Sequence, residues 1–254
     1  MIKPSKSLER CINDDKRTRP YRINFIWPLY THLFQHGNFI FLTGNIGKKS
    51  MSPCEEVFKQ LQKKSVDAVY TSPVTERDVF LEEKYDFHLP RNFALETISN
   101  TAIDPPTPGW MVTGESDKLI YSFIWLKDIV DTFMKDFQWL KKWFWREESS
   151  HPEWWKHTMP DTSNHTLCRM VPVKDVLESG VPARRFLITI DGKIIQIPPL
   201  TPLGSIRGIL EAQGIPFQIL PSCKPDDRTG DLYRESPCER HADIDLWERM
   251  MLIS

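Results

Sequence analysis

The chain has 254 residues, of which 40% are hydrophobic and 26% charged, with a formal net charge of −1, the profile of an ordinary globular protein. Near-neutrality excludes a global field for polyanions, so any nucleic-acid contact has to come from local patches. No apolar run is long enough to span a bilayer, and MIKPSKSLERC lacks the apolar centre of a signal peptide, so the expected location is the cytoplasm with no membrane partner.

In chain order, residues 1–22 form a basic arm in which Lys3, Lys6, Arg10, Lys16, Arg17, Arg19 and Arg22 outnumber Glu9, Asp14 and Asp15. It reads equally as a solvated tail or as an arm on phosphates, with Arg17, Arg19 and Arg22 the candidate DNA contacts. Residues 23–43 mix aromatic and β-branched side chains, and NFIFLTG predicts a strand ending at Gly44. FLTGNIGKKS is similar to a phosphate-binding loop, but only Asn45 and Ile46 separate Gly44 from Gly47. The loop needs about four residues there for its amides to wrap a phosphate, so the segment reads as a turn.

Residues 52–64, SPCEEVFKQLQKK, predict a helix, with Ser52 as N-cap, Pro53 at its first position and Glu55 and Glu56 in its first turn. Strands are expected over 66–71, 78–87 and 92–99, and a further strand, KLIYSFIW, after the Pro-rich loop IDPPTPGW. From Asp128 to Trp145 the spacing of Ile129, Phe133, Phe137, Leu140 and Phe144 predicts one helix. The cluster Trp139, Trp143, Trp145, Trp154 and Trp155 offers rings for stacking on bases, but core packing is the expected role of at least the first three.

After residue 182 the pattern changes. RRFLITIDGKIIQIPPL predicts a hairpin around Asp191-Gly192, LGSIRGILEAQGI a helix ending at Gly214, and PFQIL a returning strand. This order resembles a β-grasp module of the kind that opens ferredoxin-like domains. Only Cys223 and Cys238 follow the hairpin, too few thiolates for a cluster. The five cysteines are odd in number and form no CxxC pair, which also argues against a disulfide framework or a structural zinc. The expected organisation is a domain at 1–180 and a β-grasp-like appendage at 181–254, the latter offering a surface to a protein partner or a second copy. Residues 225–254 read as a loop and a terminal helix.

The chemistry concentrates in VFLEEKYDF. Alternation along a strand puts Glu82 and Lys84 on one face and Glu83 on the other. Alone, this describes an ion pair on a strand surface. Asp67, however, opens the preceding strand, and Asp followed by Glu-x-Lys on adjacent antiparallel strands resembles the PD-(D/E)xK nuclease superfamily. NFALETISN is similar to the strand that adds an acid in these nucleases, here Glu96. PGWMVTGESDKLIYSF resembles a Gly-Trp … Ser-Asp phrase of phage and plasmid members.

The resemblance covers about residues 50–180. It implies an α/β, restriction-endonuclease-like core with a mixed central sheet flanked by helices, and metal-dependent cleavage of DNA. Asp67 and Glu82 would hold Mg²⁺ or Mn²⁺ with the main-chain carbonyl of Glu83, and Lys84 would act on the attacking water and the transition state. Glu55, Glu56 and Glu96 are the further acids. Asp117 reads equally as a site residue or as a structural partner of the strand. The rival expectation is a nuclease fold without catalysis, serving as a DNA-binding or assembly subunit.

Overall fold

The computed structural model describes residues 17–34, 37–41, 57, 60, 61, 63–72, 75–100, 104–154, 156–158 and 166–220. Of the expected helix over 52–64, residues 57, 60, 61 and 63 are helical; Glu55, Glu56, GNIGKKS and residues 221–254 lie outside the described residues.

A π-helical turn, Arg22–Ile26, runs on into helix α1 (Trp27–Leu33), and strand β1 (Asn38–Phe41) follows. Next come β2 (Ala68–Thr71), β3 (Asp78–Asp86), β4 (Asn92–Asn100), the two-residue β5 (Thr107–Pro108) and the single turn α2 (Trp110–Thr113). The centre is β6 (Lys118–Leu126), β7 (Ile129–Asp136) and α3 (Phe137–Glu147). After β8 (Lys156–Thr158), β9 (Leu167–Pro172) and α4 (Val173–Glu178) come the hairpin β10 (Ala183–Thr189) and β11 (Ile194–Ile197), then α5 (Leu203–Ala212).

Seven strands form the central sheet in the order β1-β2-β3-β6-β7-β10-β11, and β5-β4-β9-β8 form a second sheet. The central sheet is mixed, because β3 and β6 run parallel while every other pairing in it is antiparallel. With helices on both of its faces, the fold is α/β. Alternation along β6 divides the core in two. Leu119, Tyr121, Phe123 and Trp125 pack with Phe93 and Leu95 of β4 and with Phe137, Leu140 and Phe144 of α3. Ile120 and Ile124 pack with Phe25, Ile26, Leu29 and Tyr30 of the N-terminal helical segment.

The segment expected as one helix from Asp128 to Trp145 is instead β7 followed by α3. Ile129 and Phe133 are four residues apart, a spacing that shares a face in a strand as well as in a helix. β7 lies between β6 and β10 and is buried on both faces, with Ile129 and Phe133 in one core and Val130 in the other. No polar alternation remains to betray a strand. Asp136 ends the strand and caps α3, accepting the Trp139 N–H at 3.0 Å. Only Trp143 of the three tryptophans on this helix is buried; Trp139 is 59% exposed and Trp145 45%.

The hairpin expected to open an appendage extends the central sheet. β10 pairs with β7 along its whole length, from Ala183 opposite Lys135 to Thr189 opposite Ile129. A buried fork fixes that register: Arg185 Nε and Nη2 donate to Asp131 Oδ1 and Oδ2 at 2.9 and 2.6 Å. The returning segment docks on β6, with the Leu220 N–H donating to the Trp125 carbonyl at 2.9 Å.

Four residues beyond Asp131 on the same face, Lys135 is 1% exposed, between the rings of Phe93 and Phe133. Among the described residues its Nζ has no hydrogen-bond partner. Burial, aided by the nearby Arg185, pulls its ammonium from 10.5 down to about 7. Between those values the unfolded chain holds a proton that the native chain lacks. Stability should therefore rise with pH across that window, by at most about 1.4 kcal/mol per pH unit from this group. Urea unfolding of wild type and Lys135→Met at pH 7, 8 and 9 should show the variant more stable at pH 7 and the gap closing upward. Parallel pH profiles would overturn this.

Candidate active site

The site is built where β2 begins and β3 passes it. The preceding helical turn closes with the Val66 N–H donating to the Leu61 carbonyl at 3.1 Å, the six-to-one bond of a helix end. Ser65 takes the left-handed conformation this ending requires, with φ 55°, and the Ser116 hydroxyl holds its carbonyl at 2.6 Å. The turn delivers Asp67, whose N–H donates to the Leu81 carbonyl at 2.8 Å. Its Oδ2 accepts the Glu83 N–H at 2.8 Å. The first carboxylate is thus fixed on the backbone of the strand that carries the second.

Asp117 proves structural. Its Oδ2 accepts the Phe80 N–H at 2.9 Å, and its own N–H donates to the Phe80 carbonyl at 2.8 Å. Ser116 and Asp117 therefore staple the two segments that present Asp67 and Glu82.

β3 then separates its side chains. Glu82 and Lys84 face β4 and α2, across a cleft of about 400 Å³ lined by Asp67, Glu82, Lys84 and Glu96 together with Lys63, Ser65, Ser99, Thr107, Pro108, Trp110 and Thr113. Glu96 arrives from the second sheet. Its strand packs tightly on the turn before α2: a Cβ at Gly109 would lie 2.5 Å from the Glu96 carbonyl oxygen. The glycine of the Gly-Trp phrase is what lets α2 close that wall and place Trp110 over Lys84, whose Nζ is 5.3 Å from the indole.

Glu82 is 1% exposed, so the pair with Lys84 is not the surface ion pair that alternation alone suggests. Lys84 Nζ bonds Glu82 Oε1, and about a third of the lysine side chain (31%) reaches the cleft. Among the described residues, Glu82 Oε2 has no hydrogen-bond partner. Burial, and then the charge of Asp67, push the Glu82 carboxyl well above the ordinary carboxylate value, against the opposing pull of Lys84. Burial would lower the Lys84 ammonium, but Glu82 and then Asp67 more than offset it and raise it above the ordinary lysine value.

The opposite face of β3 holds what the sequence did not reveal. The Glu83 carboxylate, 5% exposed, accepts from Arg22 Nε at 2.6 Å, Tyr30 Oη at 2.8 Å and Tyr85 Oη at 2.9 Å. Arg22 is thereby committed to the interior, behind the sheet. Arg17 stacks on Phe87 at 3.6 Å, and Arg19 is exposed. The structure does not bring these three arginines to the cleft. Tyr85, two residues from Glu83 and on its face, carried a local signal; Arg22 and Tyr30, 61 and 53 residues away, carried none.

Among the described residues, no three His, Cys, Asp or Glu side chains gather as a metal-binding group. The candidate donors are the two carboxylates and the Glu83 carbonyl. The residue's N–H and C=O leave the same edge of a strand, and the N–H points to Asp67. Compared with known proteins, the chain is matched by no family model, no curated protein and no solved structure.

Proposed function

We propose that the chain is a metal-dependent nuclease that hydrolyses DNA phosphodiester bonds on a restriction-endonuclease-like core. One observation carries the reading: Asp67, Glu82 and Lys84 meet in one cleft, and the buried Oε2 of Glu82 lacks a partner among the described residues. Two carboxylates pressed together with a hard oxygen to spare are the donor set that Mg²⁺ or Mn²⁺ takes, usually one or two carboxylates with water and substrate completing the shell. Asp67 and Glu82 would hold the ion with the Glu83 carbonyl, and Glu96 faces the same space.

A bound divalent cation supplies Lewis-acid polarisation of the phosphate and a more acidic water. The chain's own contribution is electrostatic. Hydrolysis forms a bond from water oxygen to phosphorus and breaks the bond to one bridging oxygen, which leaves with a proton. Lys84, kept charged by its acidic neighbours, is a donor to the phosphate oxygens and the incoming water rather than a base. Trp110 walls the ammonium on one side and keeps it in the cleft.

The test is incubation with linear, circular and single-stranded DNA, with and without Mg²⁺ or Mn²⁺. Cleavage only with metal is expected. DNA binding with no cleavage would replace this reading with the inactive DNA-binding or assembly subunit. Calorimetric titration of Mn²⁺ should show binding to wild type and its loss in Asp67→Asn/Glu82→Gln; equal binding to both would sink the metal assignment.

A further inference from the structure

A second concavity lies on α3, away from the cleft. Trp139, Lys142, Trp143 and Arg146 share one face of the helix by their three- and four-residue spacing, and with Ser179 and Val181 they line a groove of about 260 Å³. The floor is preformed. Trp143 is buried and packs on Trp154 with ring centroids 5.2 Å apart, and Trp154 stacks in turn on Phe144 and His151. The rim is fixed as well: Ser179 Oγ donates to the Val176 carbonyl at 2.5 Å and accepts the Val181 N–H at 3.2 Å. Beside this floor the indole of Trp139 is 59% exposed, and one and two turns further along the same face stand two exposed cationic side chains, Lys142 and Arg146. Arg146 Nε pairs with Glu147 at 2.7 Å, and its side chain remains 70% exposed.

We propose that this groove is a stacking site for one unpaired nucleobase of single-stranded DNA, with Lys142 and Arg146 on the adjoining phosphates. Size argues for a base. The volume falls just below that of sites for whole small molecules, roughly 300–1,000 Å³. A stable protein interface needs about 800 Å² per partner, and a single exposed indole does not supply it. Chemistry argues for a polyanion with π faces, because an aromatic platform flanked by cations is how single strands are held without sequence preference.

The groove and the cleft also share one rigid support. From a neighbouring face of α3, Lys141 Nζ donates to the Val112 and Gly114 carbonyls at 3.1 and 2.7 Å, and Trp145 Nε1 to the Met111 carbonyl at 3.3 Å. α3 is thus tied to α2, whose Trp110 and Thr113 line the cleft. A strand held on α3 is therefore held on an element bonded to the wall of the proposed active site. The inference rests on the nuclease reading for its choice of DNA, and it adds a substrate class: DNA with an unpaired end or gap.

The experiment is fluorescence anisotropy with a labelled dT oligonucleotide and a duplex of equal length, on the full chain in EDTA. Wild type should prefer the single strand. Trp139→Ala, whose parent side chain is mostly in solvent, should keep the wild-type Tm and lose roughly tenfold or more in single-strand affinity, the range for one stacked base. Lys142→Gln should reduce the slope of log affinity against log salt by about 0.7, one phosphate's share on a single strand.

Unchanged single-strand affinity in Trp139→Ala would overturn the inference. So would absence of single-strand binding, with Trp139→Ala instead altering self-association, which would give the indole to a protein contact. Cleavage by wild type is scored separately with Mn²⁺. A chain that cleaves but ignores Trp139→Ala sinks this inference alone, and one that binds through Trp139 without cleaving sinks only the nuclease reading.

Discussion

Arg22→Ala is expected to destabilise the protein by about 3–5 kcal/mol, the loss seen when one partner of a buried ion pair is removed. Glu83 is buried under three donors, and Arg22 is the charged one. Without the guanidinium, a carboxylate stays in the interior with two tyrosine hydroxyls to compensate it. Burial first, and then the charge of Glu83, hold both phenols well above the ordinary tyrosine value, so both stay neutral hydrogen-bond donors and neither replaces the lost positive charge. Arg22→Met/Glu83→Leu, which removes both charges, should recover only part of the loss, because the two hydroxyls lose Glu83 as an acceptor. Urea unfolding at neutral pH checks both. A loss below about 1 kcal/mol, the level of an exposed pair, would mean that the clamp contributes little. The site follows from the clamp, because Glu83 sits between Glu82 and Lys84 and its N–H holds Asp67. For the same reason Glu83→Gln is not a neutral control for catalysis, although its side chain points away from the cleft.

What could be read from the sequence was local. Period-two alternation places Glu82 and Lys84 together and Glu83 apart, and the strand does so. The hairpin at Asp191-Gly192 forms, with Gly192 at φ 83°, because a tight turn needs a residue that tolerates that conformation. What could not be read depends on neighbours distant in sequence. β7 looks helical because burial on both faces erases its alternation. β4 reads correctly as a strand, but nothing local says that it leaves the central sheet and still turns Glu96 into the cleft. The Arg17–Arg22 segment reads equally as a solvated tail or as an arm on phosphates because the acceptor of Arg22 lies 61 residues on. Trp139 reads as core because its position on the helix adjoins buried neighbours, yet it is 59% exposed.

Lys84→Gln is expected to lower the rate of metal-dependent cleavage by about 10²–10³, the usual cost of losing one positioned electrostatic stabiliser. Glutamine keeps a donor for Glu82 Oε1 but not the charge, so the comparison isolates the ammonium. The charge is the functional element because Glu82 and Asp67 keep Lys84 protonated, which makes it a fixed cation facing the phosphate. Mn²⁺ should still bind by calorimetry, since lysine is no ligand for that ion and both carboxylates remain. DNA affinity in EDTA should fall only slightly, one cation being a small part of a polyelectrolyte contact. Lys84→Ala should lose as much rate and more stability, because it leaves the buried Glu82 with neither charge nor donor opposite Oε1. The matched control is Lys174→Ala, whose side chain is 74% exposed on α4; its activity and Tm should equal those of wild type. Single-turnover cleavage of labelled DNA at saturating Mn²⁺ gives the reading. If Lys84→Gln cleaves at the wild-type rate while its Mn²⁺ binding is intact, Lys84 is a structural partner of Glu82 and the chemistry lies elsewhere in the cleft.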